Sequence, residues 1–173
     1  KRLSEPREGD DLFVRRRAVR LVASQLRNHP ELEACIELIL AAPSPYVRKA
    51  LPGSIVRALP AKSIEPLRRL AREDESPSVR ASSLLALPLL VEADEEVAPL
   101  RELLDDVLEH EEDVYVLRAG LRVVDELQKT ILVGGDTESA EIYYHEIHPA
   151  LERLHAEAES FVVRRAAART RER

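Results

Sequence analysis

At 173 residues, 45% hydrophobic and 34% charged with a net charge of −6, the chain is long enough to bury a sizeable core and too apolar to stay disordered. Four Tyr, two Phe and no Trp exclude an aromatic-rich core, and no apolar run approaches the roughly 20 residues of a membrane span. A single Cys excludes an internal disulfide and Lys1-Arg2-Leu3-Ser4 lacks the apolar stretch of a signal peptide, so a soluble protein of the reducing cytoplasm is expected.

Taken in chain order, five segments open alike: Asp11-Leu-Phe-Val14-Arg15, Ser44-Pro-Tyr-Val47-Arg48, Ser76-Pro-Ser-Val79-Arg80, Asp113-Val-Tyr-Val116-Leu117 and Ser160-Phe-Val-Val163-Arg164. Their valines are spaced by 33, 32, 37 and 47 residues, which marks an internal repeat. Three residues before each valine stands Asp11, Ser44, Ser76, Asp113 or Ser160, whose side chain can accept a hydrogen bond from the free N–H groups of a first helical turn. Pro45 and Pro77 follow at the first helical position, where a missing N–H costs nothing. Apolar residues then recur at helical intervals, as in Ala18, Val22 and Leu26, or Leu51, Ile55 and Leu59. Five amphipathic helices are therefore predicted to start near 11, 44, 76, 113 and 160.

A second set of helices is predicted between them, over roughly 31–42, 63–73, 95–110 and 137–158. Pro66, Pro99 and Pro149 fall inside or at the start of the last three, and an interior proline bends a helix, so a bend is expected to belong to the repeat. Gly134-Gly135-Asp136 is a break followed by a cap, and the helix after it is predicted to be about two turns longer than its equivalents.

On these residues the chain resembles the HEAT-repeat, armadillo-like family, and residues 11–173 carry the resemblance. It implies an all-α fold: an α-solenoid of stacked antiparallel helix pairs, with about nine helices in four to five repeats wound into a right-handed superhelix. Residues 1–173 are read as a single domain. The array opens on a second-type helix without its partner and the chain begins with Lys and has no Met, so a fragment of a longer chain is expected.

The charge is unevenly spread. Residues 1–72 hold 15 basic and 8 acidic residues, 73–159 hold 6 and 23, and 160–173 hold 5 and 1. Such polarity steers charged partners and also keeps an apolar array in solution. Two columns follow from the repeat register. The first, directly after the valine, is Arg15, Arg48, Arg80, Leu117 and Arg164, which the family resemblance places near the inter-repeat turn, bound to acidic or carbonyl groups of neighbouring repeats. The second is Arg16, Lys49, Ala81, Arg118 and Arg165. If the second helices line an inner surface, as the resemblance implies, Arg16, Lys49, Arg118 and Arg165 face an acidic peptide or a phosphate backbone; otherwise they are a solvated stripe. Phe13, Tyr46 and Tyr115, one before the valine, are read as packing residues of the helix start, with contact anchors as the alternative.

Chemistry is sparse. Glu141, His145, His148, Glu152 and His155 share one side of a helix at metal-ligand spacing, but Pro149 interrupts them and the core face lies one step away, so no metal site is assigned. Cys35 sits on an apolar helical face and reads as a small buried hydrophobe. No phosphate loop, nucleophile elbow or CxxC is present, so neither catalysis nor a cofactor is expected. The reading is a non-catalytic protein-protein interaction scaffold or regulatory module whose partner is a protein or peptide, the rest of its own chain included. Two alternatives are kept: nucleic-acid binding on a basic concave surface, as in HEAT-like DNA glycosylases, and a cofactor-handling protein like the HEAT-repeat phycobilin lyases.

Overall fold

The computed structural model describes residues 8–91, 98–133 and 137–171, and every regular element among them is a helix. In order these are α1 (Glu8–Gln25), a 3-10 turn (Pro30–Glu33) running into α2 (Ala34–Leu40), α3 (Pro45–Arg48), α4 (Pro52–Ala58), a second 3-10 turn (Pro60–Lys62), α5 (Ile64–Glu73), α6 (Pro77–Leu84), α7 (Pro88–Val91), α8 (Ala98–His110), α9 (Val114–Val133), α10 (Thr137–Glu157) and α11 (Phe161–Arg171). No helix among the described residues is long and apolar enough to cross a membrane.

The helices pack in sequence-adjacent pairs: α2 on α3, α5 on α6, α8 on α9 and α10 on α11. Neighbouring pairs meet like to like, α1 against α3 and α4, these against α6, α6 against α9 and α9 against α11. On the other side α5 meets α8 and α8 meets α10. Two layers result, and the core between them is aliphatic: Leu51, Ile55, Leu67, Leu84, Leu87, Leu104 and Leu121 are fully buried. Burying each such side chain contributes about 1.5–3 kcal/mol, which leucine supplies without an aromatic ring. Phe13, Tyr46, Tyr115 and Phe161 are all exposed, between 50% and 66%.

The helices beginning at 45 and 77 are not continuous, contrary to the periodicity. Pro52 and Pro88 each lie where the ring would collide with the carbonyl four residues earlier, so the chain closes one turn and starts a new helix. Leu51 N donates to the Arg48 carbonyl at 3.0 Å, and the Leu51 carbonyl then accepts from Ser54 and Ile55, both at 2.9 Å. Leu51 and Ile55 stay buried through the break, so apolar register survives where hydrogen-bond continuity does not. Conversely, Pro66 and Pro99 occupy the third position of α5 and the second of α8, within the first turn, whose N–H groups have no helical partner anyway. Pro149 alone of the three is interior, in the 21-residue α10.

Capping is also less uniform than the sequence pattern. Asp113 acts as expected, its Oδ1 accepting from Tyr115 N at 2.8 Å and Val116 N at 3.3 Å. Ser44 and Ser76 make no side-chain cap bond; their main-chain carbonyls accept from Val47 and Val79 instead. Asp11 is not a cap at all, since α1 starts three residues earlier at Glu8. The shared valine is buried in four repeats, at 7% for Val47 and 0% for Val79, Val116 and Val163, but Val14 is 62% exposed. Its helix has no first-type helix packed before it among the described residues, so Phe13, Val14 and Leu21 face outward. The Gly134-Gly135-Asp136 break lies outside the described residues.

Candidate interaction site

Two arginines of the first column, Arg48 and Arg80, are cross-repeat latches. Arg48 is buried and donates from Nε to Asp74 Oδ2 at 2.6 Å and from Nη2 to Oδ1 at 2.9 Å, a planar two-point grip, while its Nη1 reaches the carbonyl of Ala42, six residues back, at 2.6 Å. Arg80 repeats this on Glu111, at 2.8 and 3.0 Å, and on the Asp74 carbonyl, again six residues back, at 2.9 Å. Arg164 likewise donates to the carbonyl of Ala158. The two carboxylates close their own turns as well, Asp74 accepting from Ser76 N at 2.9 Å and Glu111 from Asp113 N at 2.8 Å. The hydrogen bonds from Asp74 hold the Arg48 pKa above its ordinary value, against the opposing effect of burial. Arg48 and Arg80 each engage Nε, Nη1 and Nη2 in the fold and have little left to offer a partner.

Asp74 and Glu111 escaped the sequence reading, although a signal existed. Both stand five residues before a shared valine, in a repeat preceded by one that carries the arginine. Where that arginine is replaced by Leu117, the corresponding position downstream is Ala158.

The second column behaves differently. Arg16 and Lys49 converge with Arg20, Arg27 and Arg57 on a groove of about 840 Å³ between α1 and α4, floored by Ala50, Gly53 and Ala58 and reached by Ser82 from α6. No carboxylate and no aromatic ring is among its lining residues. Arg16 Nε is buried there without a hydrogen-bond partner. Arg27 Nη2 approaches the Arg57 carbonyl at 3.4 Å, tying the ends of α1 and α4 together. A second groove, about 420 Å³, runs between α9 and α11 and brings together Tyr115, Arg118, Arg122 and Arg169 with Leu85 and Asp125. Arg165 lies beside it with Phe161 and Val162 in a shallower hollow that shares Arg169. Tyr46 is 59% exposed and lines neither groove, and neither it nor Tyr115 packs into the helix start as a core residue.

Opposite this face the cations are neutralised. Arg69 pairs with Glu37 at 3.2 Å, Arg72 with Asp106 at 2.7 Å, Arg68 with Glu102 at 3.8 Å and Lys62 with Glu33 at 2.6 Å, each pair joining successive repeats. The contrast is positional: on the first-helix layer the bases at 62–72 meet acids of the repeats on both sides, whereas Arg16, Arg20, Lys49 and Arg57 form no ion pair among the described residues. Arg20, Arg122 and Arg169 are absent from the sequence reading, although each follows a second-column residue by four positions and so shares its helix face.

The histidine row adds little. His148 approaches Glu152 at 3.9 Å, His155 Nδ1 faces the Arg164 carbonyl at 3.3 Å, and Ile147, Leu151 and Leu154 take the core face of α10. Glu141 lies outside the residues whose side chains are described. No group of three or more potential metal ligands gathers among the described residues. Cys35 is a free, half-buried thiol in α2. Comparison of the chain with protein-family models, with curated proteins and with solved structures finds no match.

Proposed function

We propose that this chain is a HEAT-like α-solenoid, right-handed as that resemblance implies, that works as a non-catalytic interaction module and receives an acidic partner on the face formed by its second helices. The paired helices and the Arg48 and Arg80 latches, repeated from one unit to the next, support the solenoid. The observation that carries the function is the groove around Arg16, Arg20, Arg27, Lys49 and Arg57, where cations gather without a counter-ion while those of the opposite layer are paired. Gathering like charges costs folding free energy, modestly at exposed positions, and a bound acidic ligand recovers it.

The charge-reversed double variant Arg16→Glu/Lys49→Glu tests this. Titrated against a fluorescein-labelled poly-glutamate peptide, the wild-type chain is expected to bind with an affinity that falls as salt rises, and the variant to bind at least about tenfold more weakly. Melting should stay within about 3 °C of wild type, because neither side chain holds the fold together. Equal affinity in the two proteins would refute the assignment of the face. A collapse in melting would show these residues to be structural.

A further inference from the structure

The two basic grooves differ from a uniform positive surface in having an uncharged interval between them. At the middle repeat the second column carries Ala81, which is fully buried, in place of a cation, and one turn further along stands Leu85, 38% exposed. Ser82 of the same helix lines the first groove and Leu85 lines the second, so α6 with its following turn is the ridge on which both end. The order along this face is thus five cations, a small and apolar strip, then Arg118 and Arg169 with Tyr115 beside them, while Arg122 of the same groove pairs with Glu126 at 3.1 Å and Asp125 with Lys129 at 2.7 Å.

Resting on the proposed acidic-partner reading, we infer that the natural ligand is a polypeptide segment with two acidic clusters separated by a short apolar stretch, laid across α1, α4, α6, α9 and α11. The first groove lies between the first and second helices of the layer, and the second between the fourth and fifth. Helices packed side by side are about 8–10 Å apart, which puts the groove centres at most about 30 Å from each other. An extended chain advances about 3.3 Å per residue, so the acidic centres stand about seven to nine residues apart. Apolar side chains of the linking stretch cover Leu85 and the open ring of Tyr115, each exposed in the free protein. A nucleic acid fits less well: its phosphates are evenly spaced and have no use for an apolar strip, no aromatic lines the larger groove for base stacking, and the whole chain is net negative at −6.

Gly53 supplies a clean test. A side chain added there meets nothing within 4 Å, so Gly53→Glu places a carboxylate in the floor of the first groove without disturbing the packing. Three labelled probes are compared by fluorescence anisotropy. One peptide has three glutamates at each end of about six Ala, Ser and Leu residues, a second has the same composition with all six glutamates at one end, and the third is a duplex DNA of about 20 base pairs. The two-cluster peptide is expected to bind at least about tenfold more tightly than the one-cluster peptide. Gly53→Glu and, separately, Arg118→Glu/Arg169→Glu should each remove that advantage. If both peptides bind equally and both respond to Gly53→Glu, the two-cluster pattern is wrong and the acidic-partner reading stands. If duplex DNA outcompetes both and is lost in Gly53→Glu, the partner is a nucleic acid and the inference falls. Absence of binding by all three probes would overturn the inference and the functional reading together.

Discussion

Replacing Asp74 by alanine is expected to destabilise the fold by about 3–5 kcal/mol, because it strands a buried guanidinium. The side chains of Arg48 and Asp74 are only 8% and 4% exposed, so water cannot replace the carboxylate without opening the junction between repeats. Glu75, 3.3 Å from Arg48 Nη2, is 83% exposed and offers one contact where Asp74 gives two. The chain itself suggests the rescue. At Leu117 and Ala158 the same register positions carry an apolar pair, so Arg48→Leu combined with Asp74→Ala should recover part of what Asp74→Ala alone loses. Chemical denaturation of the two single variants and the double variant measures this as a shift in midpoint at constant slope. A loss below about 1 kcal/mol for Asp74→Ala would show that the latch does not hold the repeats together.

Val79→Asp should cost about 3 kcal/mol or more, whereas the same change at the equivalent position, Val14→Asp, should fall within about 0.5 kcal/mol of wild type. Val79 is 0% exposed in the central repeat, with α5 packed on its helix, so an aspartate there would carry its charge into the apolar core. Val14 is 62% exposed on α1. Thermal melts of both variants check the pair. Similar losses at the two sites would mean that repeat register alone, and not the presence of a covering helix, decides burial.

The helices were readable because the apolar face of each is local in sequence; the shared start signal was a weaker guide, since Asp113 caps through its side chain while Ser44 and Ser76 do not and Asp11 lies inside α1. Boundaries moved where local chemistry outweighed periodicity: Pro52 and Pro88 split two helices that look continuous by hydrophobic spacing, and Pro66 and Pro99, expected to bend theirs, sit in first turns. Val14 misled because its pattern matches its four counterparts while its surroundings do not; burial depends on what packs against a helix, which no single segment reveals. The same limit hid Asp74 and Glu111, which meet their arginines across 26 and 31 residues of chain. Arg16 and Lys49 were legible as a column, but the structure alone distinguishes them from Arg48 and Arg80: the first two line an open groove, and the other two are bound to carboxylates and carbonyls. Tyr46 shows the converse, a residue in register that joins neither groove.

The claim that an acidic partner sits on the second-helix face is tested most directly by an amide NMR titration of the isotopically labelled chain with the two-cluster peptide. Shifts concentrated at Ala50, Gly53 and Ser54 in the first groove, and at Ala119 and Arg122 in the second, are the expected result. Shifts confined to Glu37, Arg69 and their paired neighbours on the opposite layer, or no shifts at saturating peptide, would contradict it.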